Sequence, residues 1–302
     1  MSKQPKRARR SQLSVPGSSE KMIQKAAASA ADHVFLDLED SVAPSAKAEA
    51  RGKVCWALTH LDWGPKTRCV RVNDVTTEWC HGDIIEVVEK AGTHLDTIML
   101  AKPYTAADVL FLDRLLNQLE KKLKLERRIG IEVLIEEVQA LQNVEAIATC
   151  SDRVESLIFG LGDYSASQGI ELEQITSGHY PGDLFHYARF RIAMAARAAG
   201  IDAIDGPYGD IKNEEGYREE ARRARALGMV GKWAIHPAQI VPAIDVFSPS
   251  PETVARARRL DAALREAIAK GLGAIEIDGV MMDVAVLRLL RNTLDLANLY
   301  RL

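Results

Sequence analysis

The chain has 302 residues, 47% of them hydrophobic and 27% charged, with a formal net charge of -3. That is ordinary globular composition, and it gives no general pull toward nucleic acid or an anionic membrane. No run approaches the roughly 18 apolar residues of a membrane span. The basic stretch K-Q-P-K-R-A-R-R at 3–10 precedes no long apolar segment of a secretory signal. Cys55, Cys69, Cys80 and Cys150 have neither C-x-x-C spacing nor a disulfide framework, which predicts reduced thiols in a cytoplasmic protein.

Taken in chain order, short apolar runs predict strands at 11–15, 33–38, 69–73, 97–101, 129–135, 156–161, 202–205 and 231–235. Amphipathic stretches between them include 20–31, 45–60, 106–123, 137–149, 186–199 and 214–227. Strand–helix alternation implies a parallel sheet covered by helices. Eight units suggest an α/β fold closed into a (β/α)8 TIM barrel, with an open doubly wound sheet as the alternative. The expected organisation is a basic tail over 1–10, a catalytic barrel over 11–243 and a C-terminal helical extension over 244–302. The extension reads as one long helix at 251–271, the segment G-A-I-E-I-D-G at 273–279, and a final helix from about 281 to 299.

A buried parallel strand should be almost wholly apolar. Here the runs end in polar groups: D-L-E-D at 37–40, R-V-N-D at 71–74, Lys102, I-E-E at 135–137, G-D at 162–163, D-G-P at 205–207 and H-P at 236–237. Strand C-termini in a barrel converge on one face, so these groups are expected around one pocket. Glu132, Leu134 and Glu136 share one side of their strand by period-two alternation, and Glu136 is the nearest to the mouth. Glu136 and Asp163 on neighbouring strands suit Mg²⁺ or Mn²⁺, while salt bridging or helix capping is the simpler role for each. Arg71 interrupts an apolar strand, so it must be paired or face a pocket. It can stabilise an enolate or grip a carboxylate, pair with Asp37, Glu39 or Asp40, or do both. Lys102 follows the same logic. Nearby carboxylates would keep it protonated and a poor Schiff-base nucleophile. His236 in A-I-H-P suits a structural or a catalytic role equally. The turn V-P-G-S-S at 15–19 precedes a helix and can cradle phosphate.

Together these stretches resemble the citrate lyase β-subunit-like (HpcH/HpaI aldolase/citrate lyase) family, and within it the malyl-CoA/β-methylmalyl-CoA lyases. The matching pieces are R-R-S-Q-L-S-V-P-G-S at 9–18, V-F-L-D-L-E-D-S-V at 34–42, R-V-N at 71–73 and I-M-L-A-K at 98–102. They continue with E-V-L-I-E at 132–136, L-I-F-G-L-G-D at 157–163, A-I-D-G-P at 203–207 and G-K-W-A-I-H-P-A-Q-I at 231–240. The resemblance implies a homotrimer or homohexamer that holds Mg²⁺ at Glu136 and Asp163 and sets Arg71 at the substrate carbonyl. It also implies an extension aspartate that reaches a neighbouring subunit's site. Asp283 fits that position best, Asp278 is the competitor, and D-V-A-V at 283–286 departs from the family pattern.

The expected reaction is reversible Claisen-type cleavage of an acyl-CoA thioester, L-malyl-CoA or β-methylmalyl-CoA, to glyoxylate and acetyl-CoA or propionyl-CoA. Arg71 and Asp283 are the expected catalytic pair. Glyoxylate and the thioester would meet Gly162, Asp163, Glu39, Asp40 and Lys102. CoA would lie against Ser14 and the 15–19 turn on the first strand and Ile235, His236 and Pro237 on the last, with Arg10 or Lys21 near its phosphates. Rival readings are a malyl-CoA thioesterase, a citramalyl-CoA or citryl-thioester lyase, and an inactive CoA-binding scaffold on the same fold.

Overall fold

The structure is a computed structural model that describes residues 5–176, 182–277 and 279–302. Eight parallel strands close into a barrel in sequence order. They are β1 Ser11–Pro16, β2 His33–Asp37, β3 Thr67–Val72, β4 Thr97–Leu100, β5 Gly130–Ile135, β6 Val154–Phe159, β7 Asp202–Asp205 and β8 Gly231–Ala234. The ring closes where Ser11, Gln12 and Leu13 pair with Lys232, Trp233 and Ala234. This is the expected (β/α)8 barrel with a C-terminal helical extension. All eight expected strands form.

Period-two alternation sorts the strand side chains between two cores. Outward residues such as Leu13, Val34, Val70, Ile98 and Val133 pack under the helices. Inward residues Phe35, Cys69, Met99, Leu134, Ile158, Ile204 and Trp233 fill the middle of the barrel as a separate apolar plug. Below that plug lies a buried polar layer. Glu132 accepts from Arg9 (3.2 Å), Thr97 (2.9 Å) and Gln12 (3.3 Å) and faces His33 Nε2 at 2.9 Å. The basic tail therefore does not hang free from residue 7 onward. Arg7 and Arg9 both pair with Glu155, and Arg9 is 1% exposed.

The helix ends follow local chemistry. Thr105 and Asp108 form a capping box ahead of the helix Ala106–Leu123, and Gly200 closes the helix His186–Ala199 in a left-handed conformation. The expected helix over 137–149 is two, Val138–Gln142 and Val144–Thr149. They break at Asn143, whose side chain donates to the carbonyls of Tyr104 and Gln139.

The helix Ile240–Phe247 packs against β1 and β8, so the last helix of the barrel runs past the expected boundary at 243. Beyond it, the helix Pro251–Ala269, the hairpin β9 Ala274–Ile277 and β10 Val280–Asp283, and the helix Val284–Tyr300 form the extension. Its own small core contains Leu260, Leu264, Met282 and Leu287. β10 takes residues 281–283 from the start of the expected final helix, which begins at Val284 instead. The extension is tied to the lower, N-terminal end of the barrel. The Arg10 guanidinium lies 4.2 Å over the Tyr300 ring, and Arg197 donates to Asn292 at 3.1 Å.

Candidate active site

The upper end of the barrel gathers most of the expected polar groups. Arg71 near the top of β3 donates through Nε and Nη2 to the two oxygens of Asp37 on β2, both at 2.7 Å. Its remaining nitrogen, Nη1, meets Glu39 Oε2 at 3.0 Å. The planar fork of the guanidinium is thus spent on Asp37, and the Nη1 edge is the part turned toward the mouth. Phe35 and Trp233 lie beneath it, with ring centroids 6.0 Å and 5.6 Å from Arg71 Cζ. Burial alone would lower the Arg71 pKa. The Asp37 charge and hydrogen bonds outweigh it and hold the guanidinium firmly protonated. Asp37 also accepts from the backbone N–H groups of Glu39 and Ser41, which fixes the loop after β2.

Lys102 follows β4 and reaches across the mouth. Its Nζ lies 2.6 Å from Glu39 Oε1, 3.1 Å from Asp40 Oδ1 and 3.8 Å from Asp163 Oδ1. Its backbone N–H donates to Glu136 Oε1 at 2.8 Å. Burial would lower the Lys102 pKa, but the Glu39 and Asp40 contacts raise it above the usual lysine value. Lys102 and Arg71 therefore both stay cationic.

Glu136 comes directly after β5 and is 2% exposed. Burial, then the like charges of Asp163 and Glu39, push its pKa well above the ordinary carboxylate value against the pull of Arg71. Burial raises Glu39 too. Asp163 is not on a strand as the sequence reading had it. It occupies the first turn of the helix Leu161–Ser167, after the non-helical Gly160. Its side chain is 41% exposed toward the mouth.

Five carboxylates, those of Asp37, Glu39, Asp40, Glu136 and Asp163, thus surround two cationic side chains. Oxygen donors with excess negative charge and a buried, raised carboxylate are the chemistry that a hard divalent cation satisfies. Glu136 and Asp163 fit such an ion. Both are linked through Lys102, and no side-chain cation lies at hydrogen-bond distance from Glu136 among the described contacts.

Two further residues support this ring. Lys47 sends Nζ to the carbonyls of Leu38 and Glu39, each at 2.9 Å, and to Asn73 Oδ1 at 2.6 Å. Gly160 leaves room for Glu136. Lys47 carried no signal, because a lysine in the first turn of a helix is ordinary. Gly160 did carry one, in the G-L-G preceding Asp163.

The remaining candidates are more scattered. Ser14 on β1 is half-buried, Lys21 is exposed on the helix Glu20–Ala27, and Ile235, His236 and Pro237 are exposed after β8. β1 and β8 are neighbours, so the 15–19 turn and the A-I-H-P segment share one rim. His236 Nδ1 accepts from the Ala238 N–H and so acts as a local cap. Arg10 precedes β1 at the opposite end of the barrel, where Nε and Nη2 bind both oxygens of Asp32 at 2.7 Å. That placement sets it far from the rim expected to receive CoA phosphates. Asp205 also points away from the mouth, to Arg189 at 2.8 Å and Lys232 at 2.6 Å. Gly162 is exposed beside Asp163. Asp283 caps the final helix by accepting from Ala285 and Val286, and Asp278 lies outside the described residues. A surface groove of about 570 Å³ between the helices Glu214–Ala226 and Ile240–Phe247 is lined by Arg218, Arg222 and Arg225. Arg218 and Arg222 already pair with acidic side chains and Arg225 with backbone carbonyls, so the groove offers no comparable chemistry.

Residues 10–237 match the model of one protein family, HpcH/HpaI aldolase/citrate lyase. The chain belongs to this family. An L-malyl-CoA/beta-methylmalyl-CoA lyase of Cereibacter sphaeroides is 42% identical to it over 295 residues, covering 94% of this chain and 93% of the relative. A malyl-CoA/beta-methylmalyl-CoA/citramalyl-CoA lyase of Chloroflexus aurantiacus is 34% identical, covering 87% and 80%. Among solved structures, CitE of Mycobacterium tuberculosis, in complex with magnesium, acetoacetate and coenzyme A, superimposes with a TM-score of 0.77. It is 32% identical, over 96% of this chain and 98% of that one. As a member of the HpcH/HpaI aldolase/citrate lyase family, the chain is a carbon–carbon lyase, and the barrel mouth is the place for that chemistry. Among the described residues no helix is long and apolar enough to cross a membrane.

Proposed function

We propose that this chain catalyses the reversible Claisen-type cleavage of L-malyl-CoA, β-methylmalyl-CoA or both to glyoxylate and acetyl-CoA or propionyl-CoA. The carrying observation is the mouth itself: Glu136 and Asp163 flank a net-negative ring that also presents the Nη1 edge of Arg71. The similarity to lyases named for these substrates, and to a CitE structure containing magnesium and coenzyme A, supports the same reading.

Glu136 and Asp163 would hold Mg²⁺, with Mn²⁺ as the alternative. The bound ion would supply Lewis acidity at the glyoxylate carbonyl. The first-turn N–H groups of Gly162 and Asp163 have no acceptor within their helix and suit the glyoxylate carboxylate. In the condensation direction an aspartate takes an α-proton from the acyl-CoA. Arg71 stabilises the negative charge that develops on the thioester oxygen. The α-carbon then attacks the aldehyde carbon of glyoxylate, whose carbonyl π bond opens to an alkoxide that takes up a proton from solvent to give the hydroxyl, and cleavage reverses these steps. Glu39 and Asp40 hold the Lys102 ammonium and so keep the mouth in register for both reactants. CoA would lie along the β1–β8 rim at Ser14, Ile235, His236 and Pro237, with Lys21 near its phosphates.

The aspartate is Asp283 in this proposal, delivered by a neighbouring copy. Within one chain, the final helix is anchored beneath the barrel at Tyr300. Asp283 stands at the far end of that helix, about 25 Å away at 1.5 Å per residue. Around it Met281, Val284 and Leu289 are 73%, 54% and 67% exposed, an apolar surface suited to burial against another subunit. A homotrimer or homohexamer would complete each site in this way. Among the described residues the four cysteines are free, and burial pushes the Cys55 and Cys80 thiols up to about 11 and about 12. Inert thiols of this kind fit a cytoplasmic enzyme.

The deciding assay supplies purified protein, Mg²⁺ and L-malyl-CoA and quantifies glyoxylate, acetyl-CoA, free CoA and malate. Equal release of glyoxylate and acetyl-CoA is expected. Free CoA with malate would instead identify a thioesterase, and no turnover of malyl-CoA, β-methylmalyl-CoA or citramalyl-CoA would identify an inactive scaffold.

A further inference from the structure

Lys102 is held in a costly conformation. Its φ is 48°, in the left-handed region, and Pro103 follows it. A side chain with a β-carbon is disfavoured there, and strain of this kind persists only where the surroundings enforce it. What the conformation achieves is geometric. The backbone N–H points at Glu136 while the side chain crosses to Glu39, Asp40 and Asp163.

The three side-chain contacts are graded. Glu39 at 2.6 Å and Asp40 at 3.1 Å are hydrogen-bonded partners. Asp163 at 3.8 Å is an ion pair without a hydrogen bond. Glu39 is 6% exposed in its side chain, whereas Asp163 is 41% exposed and Asp40 54%. The weakest of the three ties is therefore the one to a residue that the proposed function assigns to the metal.

We infer that Lys102 is a positioning residue that serves as the site's resident counter-ion: its ammonium restrains Asp163 in the metal-free enzyme and yields that carboxylate when a divalent cation arrives. The inference rests on the proposed metal site at Glu136 and Asp163. The exchange breaks no covalent bond and moves no proton. The ammonium keeps Glu39 and Asp40, the cation takes Asp163, and the excess negative charge of the ring falls. Between turnovers, Lys102 keeps the carboxylates from driving one another apart. While it does so, it competes with the cation.

The test is calorimetric titration of Mg²⁺ into the full-length, chelator-stripped protein without acyl-CoA. The parent is compared with Lys102→Met, which keeps the side-chain bulk, and with Lys102→Gly, which tolerates the positive φ. Both variants should bind Mg²⁺ about three- to tenfold more tightly, the equivalent of one partly screened ion pair. In chelator, Lys102→Met should melt below the parent, and saturating Mg²⁺ should close most of that gap. Affinity equal to or weaker than the parent's in both variants, with a melting gap unchanged by Mg²⁺, would make Lys102 a fixed structural contact and overturn the inference. If the parent itself binds no Mg²⁺, the metal site fails and the inference with it, which separates the two failures.

Discussion

Gly160 makes the space that Glu136 occupies. A β-carbon at position 160 would lie 2.5 Å from Cβ and 2.7 Å from Oε2 of Glu136, closer than side chains approach one another. The backbone of residue 160 therefore sets how deep the proposed metal-binding carboxylate can sit. Gly160→Ala should displace Glu136 rather than be absorbed, because Leu134 closes the other side at 3.3 Å. The expected cost is about 1–3 kcal/mol in denaturant unfolding. Mg²⁺ affinity should fall with it, read by calorimetry. A variant that binds Mg²⁺ like the parent would show that Glu136 is not held by this contact.

Arg71 and Asp283 should act from different subunits. Arg71→Lys keeps the charge but cannot reproduce two parallel bonds to Asp37 while also presenting an edge to the mouth. Turnover should drop by about 100-fold or more, as on loss of a preorganised donor, with much less change in CoA affinity. Asp283→Asn should be similarly impaired while its helix cap survives. Dissociated, mixed and reassembled, the two variants should recover partial malyl-CoA cleavage, since mixed oligomers contain sites with both original groups. Verified mixed oligomers no more active than the separate variants would place the whole site within one chain or the base at another residue.

Acid stability offers a check remote from the mouth. Asp96 accepts from the backbone and side chain of Arg68, both at 2.9 Å, and pairs with Arg127. Burial would raise its pKa, but these bonds outweigh it and lower it from 3.8 to about 2. Because the folded value is depressed, the stabilisation is present above pH 3.8 and is lost as pH falls through about 2. Asp96→Asn should therefore cost about 1–2 kcal/mol near neutrality, allowing for the half-exposed Arg127. The difference from the parent should shrink as pH falls toward about 2. A difference independent of pH would assign the loss to packing instead.

The barrel was legible because apolar runs such as H-V-F-L-D and T-I-M-L end abruptly in charge, and the charge marks the mouth. The strand starts were less legible. β3 begins at Thr67 and β6 at Val154, ahead of the expected 69 and 156. Those lower ends carry Arg68 and Glu155, polar residues paid for by partners distant in the chain, Asp96 for one and Arg7 and Arg9 for the other. Such pairing is tertiary and leaves no local pattern. The same holds for Arg10: a basic residue beside a glycine-bearing turn reads as a phosphate ligand, yet Arg10 enters β1 from below and the turn leaves it from above. At the mouth, Arg71, Glu136 and Lys102 were readable as charges within or just past the ends of buried strands. The left-handed backbone of Lys102 was not, since lysine gives no sign of it.

The most direct test of the proposed lyase is glyoxylate release from L-malyl-CoA by chelator-stripped protein on addition of Mg²⁺, measured for the parent, Glu136→Gln and Asp163→Asn. The parent should regain cleavage with Mg²⁺, and both variants should keep the barrel's circular dichroism yet remain about 100-fold or more below it, as when a charge-stabilising element is lost. Full cleavage in excess chelator, or in either variant, would contradict the assignment of the mouth as a metal-dependent lyase site.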